Sequence, residues 1–361
     1  MLLSTEKDSF MSFIEQLFKQ LKRHPKRIVF PDGADERVQT AAFEYASKEL
    51  GIPILLGNKE EIQNSLKNRN LTSPFIKVIE PKKADDFKLF VSHLEKINRY
   101  RGIAISEGES IVSNPNYFAT MMVQHGQADG LVGGANIGAG SLLRPLFQII
   151  KPLPGVKTIS SCTLLKVPNC EYGHQGLFVL GDCSIIPHPS VEQLCSIAVE
   201  SAKFFRQMTG EIPRVAMLSY STKGNAPTQD AEKIIAATAL AKRAFSEQNI
   251  QASIDGEFQA DVALVESIAA TKAPGSLVAG KANVLIFPDL NSGSISCRLL
   301  QRLAKAEAFG QILLGLEKPS GDVSRGASSH EILGVAAMIA VQAINYRNLY
   351  PEAGAFPGHS S

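Results

Sequence analysis

The 361-residue chain has no run of apolar residues approaching the length needed to cross a bilayer, so a membrane-spanning helix is not expected. It also has almost no surplus charge: 37 Lys and Arg stand against 35 Asp and Glu, a formal net charge of +2. No broad basic surface for nucleic acid follows from that balance. The one basic cluster, Lys22, Arg23, Lys26 and Arg27 around His24 and Pro25, lacks interleaved aromatics and reads as a solvated helix end. Its five cysteines, Cys162, Cys170, Cys183, Cys195 and Cys297, are odd in number and form neither a C-x-x-C pair nor a zinc spacing with histidine. Free thiols in a reducing compartment are the expectation. The opening stretch, with Glu6, Asp8 and Glu15 among its apolar residues, has no basic start, apolar core or cleavage site of a signal peptide. The expected location is cytoplasmic.

Several functional fingerprints are missing as well. There is no G-x-x-x-x-G-K-[ST], which argues against an ATP-binding P-loop. Gly133-Gly134-Ala135-Asn136-Ile137-Gly138-Ala139-Gly140 lacks the G-x-G-x-x-G register of a nicotinamide-binding turn. No G-x-S-x-G elbow and no HExxH occur, and no metal cage is visible.

What is present is a globular composition, 44% hydrophobic, in a chain long enough for two domains. An amphipathic helix is expected over 10–22. Strands over 27–31, 53–57 and 76–79 alternate with a helix over 36–49, and a helix over 89–98 follows. A strand over 129–134 runs into a glycine-rich loop and a helix over 142–150. This spacing predicts βαβ units and a parallel sheet. Pro152-Leu153-Pro154-Gly155 marks a boundary, beyond which β-rich 158–165 and 177–186 read as a hairpin or antiparallel edge. Helices over 191–208, 230–245, 260–270 and 293–309 then alternate with strands over 214–220, 253–256 and 282–289. The tail from Tyr350 is polar and rich in glycine and proline, hence loose.

Chemistry concentrates in 315–331, between the apolar run Ile312-Leu313-Leu314 and a helix whose Ile332, Leu333, Val335, Ala336, Ile339 and Ala340 recur at helical spacing. A helix start offers unpaired N–H groups to an anion, and Arg325 offers a two-pronged grip on phosphate or carboxylate. Ser328-Ser329-His330-Glu331 equally fits a capping box, Ser328 as N-cap and Glu331 reaching back. Polar, glycine-bearing turns at 31–33, 133–141, 220–224, 255–257 and 289–293 end other strands. In a parallel sheet such ends share one side, a pattern suited to a small anionic ligand.

The strings Phe30-Pro31-Asp32-Gly33-Ala34-Asp35-Glu36-Arg37, Ala128-Asp129-Gly130-Leu131-Val132-Gly133-Gly134 and Leu143-Arg144-Pro145 resemble the phosphate acetyltransferase (phosphotransacetylase) family. The match continues in order through Val215 to Thr222, Ile254-Asp255-Gly256-Glu257, Lys272 to Ser276 and Phe287 to Asn291, and closes on Ser324-Arg325-Gly326. It spans about residues 27–345. The resemblance implies two α/β domains with mainly parallel sheets and an interdomain cleft, isocitrate/isopropylmalate dehydrogenase-like. Residues 1–154 and 314–361 would form the first domain and 155–313 the inserted second. It further implies a homodimer that interconverts acetyl-CoA and phosphate with acetyl phosphate and CoA, with no cofactor beyond coenzyme A as substrate.

Carried over by position, Ser324 would stabilise the transition state, Arg325 would bind the phosphoryl group and Arg144 would assist it. Cys170 looks like a cysteine the family keeps near the site without using it as a nucleophile. The family's catalytic carboxylate, seven residues after the serine, is usually aspartate; here it is Glu331. A substrate-binding arginine of the family falls at Asn98, with Arg99 and Arg101 beside it as substitutes or as an exposed helix end. Two other readings stay open: a phosphate butyryltransferase-like acyltransferase, and a non-catalytic acetyl-CoA-sensing domain. One pocket methylene is worth only ~1–3 kcal/mol, so acyl length is not written in the sequence.

Overall fold

The computed structural model describes residues 5–100, 107–136 and 139–349. Its strands are β1 (Lys26–Phe30), β2 (Gly51–Leu56), β3 (Lys77–Ile79), β4 (Gly130–Gly133), β5 (Ser160–Lys166) and β6 (Leu177–Gly181). They continue as β7 (Arg214–Leu218), β8 (Ser253–Phe258), β9 (Val284–Ile286), β10 (Glu307–Leu314) and β11 (Ser320–Asp322). The chain divides into two compact α/β units, one of residues 14–153 with 316–361, the other of 154–315 with 1–13. Among the described residues, 5–13 thus group with the second unit, whereas the resemblance assigns 1–154 to the first domain.

In the unit of 14–153 and 316–361 the strands lie in the order β3-β2-β1-β4-β11, all parallel. Central β1 is apolar because both its faces are covered: Ile28, Val29 and Phe30 have no exposed surface. Helix Glu36–Ser47 starts where Asp35 accepts the N–H groups of Arg37 and Val38 at 2.8 and 3.3 Å. Helix Ser329–Leu349 is apolar all round through its middle, and every residue from Ile332 to Val341 is buried. Each fully buried Ile or Leu there contributes roughly 1.5–3 kcal/mol, so no polar face is needed to orient it. It packs on β1, β4 and helix Glu36–Ser47. A Cβ at Gly130 would come within 2.4 Å of the Ile339 side chain, so glycine at 130 sets how closely helix and sheet meet.

The other unit carries the order β10-β5-β6-β9-β7-β8. β6, β9, β7 and β8 are mutually parallel, while β5 pairs antiparallel with both β6 and β10. The expected hairpin of 158–186 is therefore real. The helix expected over 293–309 is present but ends early: helix Leu290–Leu303 stops, and Glu307–Phe309 enter β10 because Leu164, Leu165 and Lys166 of β5 supply partners. The helix expected over 260–270 is broken at Val265, whose backbone is extended, into Ala260–Leu264 and Glu266–Lys272. All five cysteines are free, four of them buried and Cys170 half-buried.

Candidate functional site

Three segments leave the carboxyl ends of the adjacent parallel strands β1, β4 and β11, and Arg37 binds them together. Its Nη1 donates to the carbonyls of Arg325 and Ala327 at 2.7 and 3.0 Å. Its Nη2 donates to the Ala135 carbonyl at 2.9 Å and to Asp35 Oδ2 at 2.7 Å, and Nε reaches Asp35 Oδ1 at 3.1 Å. Burial would push the Asp35 carboxyl up, but the hydrogen bonds and charge of Arg37 outweigh it and hold it below the usual range. This arginine is thus a structural tie whose donors are spent on fixing loops.

Asp32, at the end of β1, accepts the N–H groups of Gly134 and Ala135 on Oδ2 at 2.9 and 3.0 Å. Gly134 has φ +98°, and a Cβ there would lie 2.0 Å from Asp322 Oδ1 and 2.7 Å from the Val323 carbonyl. The turn after β4 is therefore pressed between two aspartates, one from β1 and one from β11. Burial raises the Asp32 carboxyl despite its backbone donors. Asp322 is raised further, to about 7, by burial first and the charge of Asp32 second.

On this frame sits the segment Val323 to Glu331. Ser324 is half-buried, its Oγ accepting the Gly326 N–H at 3.3 Å. Arg325 has its carbonyl taken by Arg37 and its side chain exposed. The capping box is realised: Ser328 N–H donates to Glu331 Oε2 at 2.7 Å, and Glu331 N–H donates to Ser328 Oγ at 3.2 Å. A hydroxyl, a guanidinium and a carboxylate thus lie on one segment leading into a helix start, where partial positive charge favours an anion.

The remaining expected residues are placed differently. Arg144 is exposed on helix Ala139–Ile149, and Arg99 is exposed in the last turn of helix Phe87–Tyr100. Among the described residues no hydrogen bond joins either to the Ser324–Glu331 segment. Position 98 cannot stand for a substrate-binding arginine, since Asn98 is 2% exposed and accepts from Gln148 Nε2 at 2.6 Å inside the unit. Arg99 is an exposed cation at this helix end. Arg101 lies outside the described residues. Cys170 belongs to the other unit, packed against that unit's core.

Of the five polar strand ends, 31–33 and the described part of 133–141 join this frame; the other three belong to the second unit. There Glu257 accepts from Ser221 Oγ and the Gly224 N–H at 2.7 and 2.8 Å, fixing the loop after β7. Burial would raise Asp255, but hydrogen bonds from Lys223, Lys242 and Ser276 hold it down to about 2. Asp289 caps helix Leu290–Leu303 through the Ser292 N–H at 2.8 Å. These three ends are each satisfied by their own neighbours.

Sequence reasoning missed roles for Asp32, Arg37 and Asp322. The first two sit in the string from Phe30 to Arg37, so a signal existed without a role. Asp322 gave none, because nothing in Ser320-Gly321-Asp322 reads as a buried strand.

The profile of the family described as phosphate acetyl/butaryl transferase matches residues 12–340. A phosphate acetyltransferase from Acetivibrio thermocellus is 44% identical over 334 residues, covering 92% of this chain and 98% of that protein. A phosphotransacetylase crystal structure from Streptococcus pyogenes superposes with a TM-score of 0.85 at 36% identity, over 93% of this chain and 99% of that one. A 4-hydroxythreonine-4-phosphate dehydrogenase from Klebsiella pneumoniae, 14% identical with a TM-score of 0.51 over 88% of this chain and 98% of that one, shares the fold alone.

Proposed function

The chain belongs to the phosphate acetyl/butaryl transferase family, and on that premise we propose that it is a phosphate acetyltransferase, interconverting acetyl-CoA and phosphate with acetyl phosphate and CoA. The observation that carries this reading is the near full-length match, at 44% identity, to a protein of that name. The geometry that supports it is the hydroxyl, guanidinium and carboxylate gathered between Ser324 and Glu331.

In the direction of acetyl-CoA formation, the CoA thiol gives its proton to Glu331 as sulfur attacks the acetyl carbonyl of acetyl phosphate. The Ser324 hydroxyl donates to the carbonyl oxygen as it becomes anionic. The carbon–oxygen bond to phosphate then breaks, and phosphate leaves with the electron pair against Arg325, with Arg144 and Arg99 as further cations. The attack is direct, so Cys170 is not needed as a nucleophile. A free thiol titrates near ~8.5 and a free glutamate near ~4.3, which puts complete proton transfer about 6 kcal/mol uphill. Proton transfer is therefore concerted with carbon–sulfur bond formation.

The capping box gives the carboxylate a fixed place and also a way to separate its two roles. Glu331→Gln still closes the box, so the melting temperature should stay within about 1–2 °C, given that a cap is worth ~1 kcal/mol and this one is kept. Loss of the base should lower kcat by at least ~10²-fold. A glutamine enzyme within a few-fold of the parent would leave Glu331 as a cap alone.

The proposal includes no cofactor, coenzyme A entering as substrate, and a cytoplasmic homodimer. Free thiols support the location, and among the described residues no helix is long and apolar enough to cross a membrane. Ile295, Leu299 and Leu303, four residues apart on one helix and 58, 52 and 80% exposed, are apolar surface that association of two copies would cover. The activity is tested by following CoA release from acetyl-, propionyl- and butyryl-CoA with phosphate, with and without a chelator. Fastest turnover of acetyl-CoA, unchanged by chelator, is expected. Turnover of butyryl-CoA alone would move the chain to the butyryl branch, and none with any acyl-CoA would make it a binding domain.

A further inference from the structure

Asp322 closes β11, two residues before Ser324, and the residue is buried, at 5% exposure. Its Oδ1 is buried with no hydrogen-bond partner. The neighbouring backbone leaves no room for rearrangement: Gly321 and Asp322 pair with Val132 and Gly133 of β4, and the Val323 N–H donates to the Gly133 carbonyl at 2.7 Å. The same oxygen rests against Gly134, whose N–H is held from the other side by Asp32. Two aspartates therefore clasp one turn, and among the described residues only Asp32 has donors to stabilise a negative charge.

The surrounding charges do not alter that asymmetry. Asp35 and Arg37, at the start of helix Glu36–Ser47, are paired with each other, and the remaining Arg37 donors go to carbonyls. On the segment that follows β11, Arg325 is exposed and Glu331 is engaged by Ser328; His330 in the same first turn is exposed. The described part of the turn after β4 brings no titratable side chain. Neither Arg37 nor Arg325 hydrogen-bonds Asp322 among the described residues. An ionised carboxylate left buried without a partner costs several kcal/mol, while a neutral carboxyl costs far less.

We propose that Asp322 is a positioning residue that works in its neutral, protonated form, holding the turn at Gly134 against the Ser324–Arg325 segment, and that its ionisation loosens this clasp and switches the site off at alkaline pH. The proposal rests on the transferase reading only for its kinetic consequence. The raised carboxyl agrees with the geometry, since burial and the charge of Asp32 push it to about 7 against an ordinary 3.8. The sign follows: a carboxyl raised on folding stabilises the fold fully below pH 3.8, and that contribution is lost as pH rises through about 7.

Asn has the shape of a protonated Asp and cannot ionise, so Asp322→Asn isolates the proton. Melting temperature is measured from pH 5.5 to 9 for both proteins, and kcat and KM for phosphate over the same range. The parent is expected to melt lower as pH passes through neutrality, and Asp322→Asn to lose that slope. In kinetics, the variant should keep parental kcat at low pH and lose the alkaline limb in kcat, with KM for phosphate little changed. Coincident pH profiles in both readouts would overturn the proposal, as would an Asp322→Asn protein that folds but is inactive at every pH. If the variant does not fold, the parent labelled with carboxyl-13C aspartate decides by NMR: one carboxyl titrating near neutrality supports the proposal, and all titrating below pH 5 ends it. The melting and NMR readouts need no activity, so they stand even if the transferase assignment fails.

Discussion

Arg325→Ala should lower kcat/KM for phosphate by about 10³-fold while leaving the melting temperature nearly unchanged. Charge-assisted hydrogen bonds are worth about 1.5–3 kcal/mol each, and a guanidinium gripping phosphate makes two, so a loss of roughly 4 kcal/mol is the natural scale. Stability should survive because the contribution of residue 325 to the frame is its carbonyl, which accepts from Arg37 at 2.7 Å whatever the side chain. The Arg325 side chain itself is exposed. Arg325→Lys separates charge from shape: it restores the cation without the planar fork, and an intermediate loss of about 10²-fold is expected. Steady-state kinetics with phosphate and acetyl phosphate varied separately from CoA check the assignment, with the effect expected on the phosphate side. Parental kinetics for both variants would place phosphate binding elsewhere, on Arg144 or Arg99.

Gly134→Ala should strongly destabilise the unit of 14–153 and 316–361. The new Cβ would lie 2.0 Å from Asp322 Oδ1 and 2.7 Å from the Val323 carbonyl, and the second of these is backbone that cannot swing away. The residue must also hold φ +98°, where an L side chain is strained by about 1–3 kcal/mol. Adding about 1–3 kcal/mol for overpacking gives roughly 2–6 kcal/mol. For a unit of this size each kcal/mol is worth about 2–4 °C, so a fall on the order of 10 °C in melting temperature is expected. Activity should fall with it, because the displaced groups lead directly into Ser324. Thermal unfolding of Gly134→Ala beside Gly126→Ala makes the comparison sharp. Gly126 also has positive φ, +72°, but a Cβ there meets nothing within 4 Å, so its variant reports strain alone. Equal destabilisation of the two would show that the clasp at Gly134 is not tightly packed.

Local signals were enough for much of the architecture. Apolar runs such as Ile28-Val29-Phe30, short and rich in β-branched and aromatic residues, fit strands covered on both faces, and their alternation with helical periodicity points to βαβ units. The capping box at Ser328 and Glu331 was legible because its two hydrogen bonds depend on residues three apart. The candidate segment 315–331 was legible from its clustered hydroxyls, arginine and carboxylates, and the ordered strings pointed to the family that the full-length matches then showed. These features share a cause: each is encoded within one or two turns of chain, where propensity and spacing act directly.

Tertiary structure decided the rest. Ser320-Gly321-Asp322 has no strand propensity and becomes β11 only because Leu131, Val132 and Gly133 offer a parallel edge. Glu307–Phe309 continue a helical pattern in sequence yet pair with β5, since edge hydrogen bonds outweigh a weak local preference. Asn98 looks like a lost surface arginine until Gln148 is seen holding it inside. The tie of Arg37 to the carbonyls of 135, 325 and 327, and the two aspartates around Gly134, join segments far apart in the chain. Burial and charge at such a meeting point depend on what packs there. The sequence alone therefore determined the family, the βα alternation and the segment carrying Ser324 and Arg325. Only the folded chain determined which carboxyls lose their water, because desolvation belongs to the assembled neighbourhood and not to the residue.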